Sequence, residues 1–134
     1  MSKQKNEDNQ ELMIELKTLD EELKKLNTHL ENMDNQMGEL EISKQIINKF
    51  SELNKGDELR VPLTSGIYVK AQILDTKNLM INVGSNITVE KTPKQVTKIL
   101  DGQLTELSKY RDQLVGQMKV LINRIEEIQS GFEA

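Results

Sequence analysis

Leu12, Leu16, Leu19, Leu23, Leu26, Leu30, Met33, Met37 and Leu40 recur at alternating spacings of four and three without a miss. No other feature constrains the fold of this chain so strongly. The alternation sets all nine side chains on one narrow stripe of an α-helix, the seam of a coiled coil. Lys44 occupies the next seam position, so the strict register is expected to break there. Ile42, Ile46, Ile47, Phe50 and Leu53 carry apolar character onward in a shifted, wider stripe, which implies more than one neighbour near that end. The helix is expected to stop around Leu53–Lys55, with Asn54 or Gly56 supplying a left-handed residue.

A second seam mirrors the first: Leu100, Leu104, Leu107, Arg111, Leu114, Met118, Leu121, Ile125 and Ile128. Its start is marked by Thr92 as N-cap, Pro93 at the first helical position and Gln95 completing a capping box. Gly116 lies off the seam and costs about 1 kcal/mol relative to Ala. Arg111, the one polar member, admits two readings. It could set the register, as buried polar groups do in some coiled coils; the simpler reading is that its stem packs while the guanidinium reaches water. The two seams are equal in length and are joined by a connected segment. An antiparallel hairpin of helices is the economical arrangement, because parallel pairing between chains would oblige the connection to travel the whole rod.

Between the rods the period changes from 3.5 to two. Leu59, Val61 and Leu63 alternate with polar neighbours, as do Ile67, Val69, Ala71 and Ile73, then Leu79, Ile81 and Val83, then Ile87 and Val89. Thr64-Ser65-Gly66, Asp75-Thr76-Lys77-Asn78 and Gly84-Ser85-Asn86 are turn sequences. The pattern predicts four short strands in two hairpins, with Pro62 at an edge or a bulge because it cannot donate to a ladder. One apolar face on a few short strands is marginal in water, and its edges expose unpaired backbone. Assembly is the remedy: strands from several chains combine into a closed or layered β body from which the coils project.

The predicted layout is α+β. A disordered tail over 1–11 precedes a coiled-coil helix over 12–55. A β-hairpin oligomerisation insert over 56–92 follows, then a second coiled-coil helix over 93–131 and a tail over 132–134. The composition agrees. Aromatic residues are 3% of the 134 and charged residues 30%, with no Trp, so no thick single core is available.

The totals also exclude function classes. Residues 1–55 hold 8 Lys/Arg against 12 Asp/Glu, and the remaining segments balance, for a net charge of −4. That balance argues against nucleic acid, which calls for a basic field. There is no Cys, and neither an N-terminal apolar region nor a run approaching a membrane span, so a cytoplasmic chain without membrane contact is expected. Asn86-Ile87-Thr88 matches a glycosylation sequon but reads as a turn. No catalytic set, metal site or cofactor site can be assembled. His29 is the only histidine, Glu21-Glu22 and Glu126-Glu127 are solvated helix charge, and Gly84-Ser85-Asn86 lacks the Lys and the helix of a phosphate loop.

At Val61 to Asp75, "VPLTSGIYVKAQILD", and Ile81 to Thr92, "INVGSNITVEKT", the chain resembles the prefoldin family, specifically the archaeal α type (subunit 5-like). The matching runs are Pro62-Leu63-x-x-Gly66-x-Tyr68-Val69 and Val83-Gly84-x-x-Ile87-x-Val89-Glu90-Lys91. The resemblance covers coil, insert and coil, and two hairpins rather than one is the α-type arrangement. It implies a hexamer of two α-type and four β-type subunits on a β-barrel platform. It further implies an ATP-independent chaperone that holds unfolded or nascent proteins and delivers them to a group II chaperonin. The platform residues would be Val61, Leu63, Ile67, Val69, Ile73, Leu79, Ile81, Val83, Ile87 and Val89. Client contacts are expected at the rod tips, where Met13 and Ile14 stand beside the seam residues Leu12 and Leu16, opposite Ile122, Ile125, Ile128 and Phe132. An alternative from another class is a coiled-coil scaffold with fixed partners, or a self-assembling structural protein.

Overall fold

The computed structural model describes residues 2–133. Two long helices bracket four short strands, in the order α1 (Ser2–Phe50), β1 (Glu58–Thr64), β2 (Ile67–Gln72), β3 (Leu79–Asn82), β4 (Thr88–Lys91) and α2 (Pro93–Glu133). The fold is α+β, a coiled-coil hairpin carrying two β-hairpins, and the chain divides into two compact units. One comprises α1 up to Met37 with α2 from Thr105 onward; the other is Gly38–Leu104.

In the first unit the seam is the core. Leu30, Met33 and Leu114 are buried against one another, with Leu26, Leu107, Val115 and Met118 packed around them. The other seam residues are half-buried, apart from Ile128, which is buried. The two helices run antiparallel: Glu15 pairs with Arg124, and Asp34, further along α1, pairs with Arg111, earlier along α2. His29 is exposed and meets Tyr110 edge to face across the coil, with ring centroids 5.8 Å apart.

In the second unit the heptad does not break where Lys44 enters it. Lys44 and Ile47 are half-buried on the continuing seam, while Ile42 and Ile46 are exposed. The lysine stem fills the seam position and its ammonium meets Asp101 Oδ1 at 2.6 Å, so the register holds through Ile47; beyond it the stripe shifts, with Phe50 and Leu53 half-buried and Ser51, the next heptad position, exposed.

The helix ends differ from the expected ones. α1 is helical from Ser2, so residues 2–11 of the anticipated disordered tail are helix; Met1 lies outside the described residues. Lys, Gln and Glu recur there without Gly or Pro, and adding residues to a formed helix costs little. α1 ends at Phe50 rather than at 53–55. The Glu52 and Leu53 amides donate to carbonyls three residues back, Lys49 and Phe50, at 3.1 Å each, tightening the chain out of the helix. Asn54 and Asp57 then hold a turn, with the Asn54 amide donating to Asp57 Oδ2 at 2.8 Å. Gly56 is left-handed (φ 93°), but it serves the sheet: its amide donates to the Ile73 carbonyl at 2.8 Å. α2 extends to Glu133, through Gly131 and Phe132, so residues 132–133 of the expected tail over 132–134 are helix as well; Ala134 lies outside the described residues.

The start of α2 follows its sequence closely. The Thr92 amide donates to Gln95 Oε1 at 3.0 Å and the Gln95 amide to Thr92 Oγ1 at 3.2 Å, a reciprocal capping box ahead of Pro93. The strands form two separate antiparallel hairpins, β1·β2 and β3·β4. In the first, Leu59 opposes Ala71, Val61 opposes Val69 and Pro62 opposes Tyr68, after which the register shifts and Leu63 falls out of pairing. A bulge is a position where proline's missing donor does no harm. In the second, Ile81 opposes Val89. Its turn closes through the Ile87 amide on the Gly84 carbonyl at 2.9 Å, with both central residues left-handed, Ser85 at φ 50° and Asn86 at φ 61°. That is the primed turn whose twist matches a hairpin.

Candidate functional site: apolar surface on the coil and the hairpins

The structure offers two surfaces rather than a pocket with chemistry. Among the described residues, no three His, Cys, Asp or Glu side chains are grouped to hold a metal, and no helix is long and apolar enough to cross a membrane.

The first surface lies on the coil unit. Glu15 Oε1 and Oε2 accept from Arg124 Nε at 2.8 Å and Nη2 at 3.0 Å, and this two-point contact sets the 12–16 turn of α1 beside the 122–128 turn of α2. Arg124 also donates to Glu127 at 3.1 Å. Both pairings are exposed. The Arg124 hydrogen bond holds the Glu15 carboxyl below the usual carboxylate range, and the two carboxylates hold the guanidinium above its ordinary value. Around this clasp Met13 is 62% exposed and Ile14 67%, and Ile122 and Phe132 are exposed too. Leu12, Leu16 and Ile125 are half-buried in the seam. Ile128 departs from expectation: only 3% exposed, it is seam core and offers no surface to a client. The heptad places it there, since it is the last regular seam position of α2.

Val120 was not anticipated at all and is well exposed. It lines an apolar groove with Leu26 and Leu121, edged by Glu22, Lys25 and Gln117. An apolar residue off the seam, like Met13, is the signal that marks it in the sequence.

The second surface lies on the hairpins. Every residue of β1 is exposed. Val61 and Val69, directly opposite each other, form an uncovered apolar pair, with Leu59, Leu63 and Ile67 also exposed. Val83 and Ile87 are exposed at the turn end of the second hairpin, and Leu79, Ile81 and Val89 are half-buried. Ile73 breaks the pattern. It is 6% exposed, and its amide and carbonyl are both used within the chain, on Asp57 at 3.0 Å and Gly56 at 2.8 Å. Ile73 is thus packed inside its own subunit and is removed from the oligomerisation set. Leu74, Tyr68 and Met80, outside the alternating set, are exposed instead. The linker between hairpins is held by Asp75, whose Oδ1 accepts from the Lys77 amide at 2.7 Å and the Asn78 amide at 3.3 Å. The Lys77 amide is the main reason that carboxyl sits below its ordinary range.

Comparison with known proteins places this architecture. Residues 19–134 match the family model described as Prefoldin subunit. A prefoldin subunit alpha of Thermofilum pendens is 31% identical over 86 residues, 64% of this chain and 67% of the relative. One from Methanococcus vannielii is 25% identical over 128 residues, 96% of this chain and 86% of the relative. Human prefoldin subunit 5 is 29% identical over 96 residues, 72% of this chain, and the match spans 62% of the human subunit. Among solved structures, a filamentous PFD from Methanocaldococcus jannaschii superposes with a TM-score of 0.74 at 19% identity, covering 85% of this chain and 94% of that one.

Proposed function

The chain belongs to the prefoldin family of chaperones, as an α-type subunit, and from that premise we propose that it is a subunit of an ATP-independent holding chaperone. Unfolded or nascent proteins bind at the coil surface around Met13 and Ile14 and are passed to a group II chaperonin. The hairpins join it to β-type subunits, two α-type with four β-type, in a closed β platform. The observation that carries the client site is the exposure of Met13, Ile14, Ile122 and Phe132, apolar side chains that the two-helix seam leaves uncovered. Methionine's flexible, polarisable side chain suits clients of varied shape.

The test combines polar replacement at Met13, Ile14, Ile122 and Phe132 with an aggregation assay on denatured model clients, in the presence of a β-type partner. Loss of suppression with an unchanged oligomer mass supports the reading. Unchanged suppression would sink it. A self-assembling scaffold is the competing reading, and the native mass of this chain without a β-type partner separates the two.

A further inference from the structure

We propose that the two cations in the seams, Lys44 and Arg111, act as a register key: they make α1 and α2 pair with each other in one alignment, and with no second copy of either helix. A seam of Leu and Met alone is permissive, because a heptad repeat shifted by seven residues again sets apolar side chain against apolar side chain. Something must choose among the alignments.

The two cations are placed alike. Lys44 Nζ lies 2.6 Å from Asp101 Oδ1, and Arg111 Nε lies 2.7 Å from Asp34 Oδ1. Each sits on a seam position of its own helix. Each acid immediately follows a seam residue of the other helix, Leu100 before Asp101 and Met33 before Asp34. Asp34 and Lys44 are ten residues apart on α1 and Asp101 and Arg111 ten apart on α2, so one antiparallel alignment satisfies both pairs together.

The alternatives fail on named residues. Sliding α2 by one heptad in one direction sets Lys44 against Lys94 and Arg111 against Asn27; in the other, Lys44 meets Ser108 and Arg111 meets Glu41. Neither slip keeps both pairs, and a heptad step of roughly 10 Å is too far for the side chains to follow. A parallel pair of α1 helices would oppose Lys44 to its own copy, and a parallel pair of α2 helices would do the same with Arg111. All four side chains are partly exposed, with side-chain values of 25 and 52% in one pair and 39 and 52% in the other. Such pairs add little to stability. Their effect is on the choice of alignment: one slip sets Lys44 against Lys94, and the other exchanges two ion pairs for one, Arg111 with Glu41.

The pairing of the two helices is independent of what the coil binds. The chain has no cysteine, so introduced pairs report alignment without background. Leu30→Cys with Leu114→Cys reads the observed register, Leu30→Cys with Leu121→Cys reads the slip, and Leu30→Cys alone reads α1 pairing between copies. In the full chain, the observed register alone should cross-link. With Lys44→Leu and Arg111→Leu added, helicity and melting temperature should hold or rise, while slipped and intermolecular products, absent from the parent, appear beside the native one. A double variant that still yields only the native cross-link overturns the proposal. The charge-swapped chain (Lys44→Asp, Asp101→Lys, Arg111→Asp, Asp34→Arg) should return to the native product alone; mixed products from it overturn the proposal equally.

Discussion

Leu114 and Val61 are both apolar residues in regular structure, and the chain treats them in opposite ways. Leu114 closes against Leu30 and Met33, so the coil unit buries its apolar stripe with residues of its own. Val61 faces Val69 across the ladder and stays exposed, as does every residue of β1. A helix needs only one partner helix to cover a narrow stripe, and the chain supplies it. A two-stranded hairpin needs a second layer, and among the described residues β1 is left without one. Within one chain the coil is thus self-sufficient and the first hairpin is incomplete.

Three experiments bear on that contrast. The largest effect is expected from Val61→Lys with Val69→Lys, two charges set opposite each other on the uncovered ladder. Native mass should fall to that of the subunit, while far-UV circular dichroism retains the helical signal. A retained assembly would mean that the exposed face is not where subunits meet. Next, Leu114→Ala should leave assembly intact but destabilise the coil by about 2–3 kcal/mol, the usual cost of emptying a packed leucine site. Thermal unfolding should register this as an earlier helical transition. Loss of assembly in that variant would show that coil and hairpins are not separable.

The smallest effect concerns acid. Glu15 is held below the usual carboxylate range, chiefly by its hydrogen bond to Arg124. Its contribution is therefore complete above the ordinary carboxylate pKa and lost as pH falls through the lowered value. Hydrogen-exchange protection around 12–16 and 122–128 should drop modestly below about pH 4, and Glu15→Gln should remove that pH dependence. Lys44 behaves with the opposite sign. Asp101 holds its ammonium above the usual lysine range, so the lysine's contribution is complete below that range and is lost as pH rises through the raised value.

What the sequence disclosed follows from the range over which each signal acts. The seams, the Thr92–Gln95 box and the Gly66 and Ser85–Asn86 turns depend on residues a few positions apart, and each was legible. Pro62 announced its bulge because its missing donor is intrinsic to the residue. Lys44 was misread because its place in the seam depends on Asp101, which no local pattern links to it. Ile73 looked like one more member of an alternating face; only the backbone bonds to Gly56 and Asp57 show that it is enclosed. The apolar surface proposed for clients was half legible. Periodicity identified Met13 and Ile14 as surplus to the seam, yet the same periodicity should have assigned Ile128 to the inside and Val120 to the outside.

A single residue, Thr92, separates β4 from α2, and both hydrogen bonds of a capping box hold it. By contrast, seven residues of turn, 51–57, separate α1 from β1. The two connections are mechanically unequal. Tension on α2 passes to the β3·β4 ladder with almost no slack, whereas tension on α1 is taken up first by the weak turns between Ser51 and Asp57.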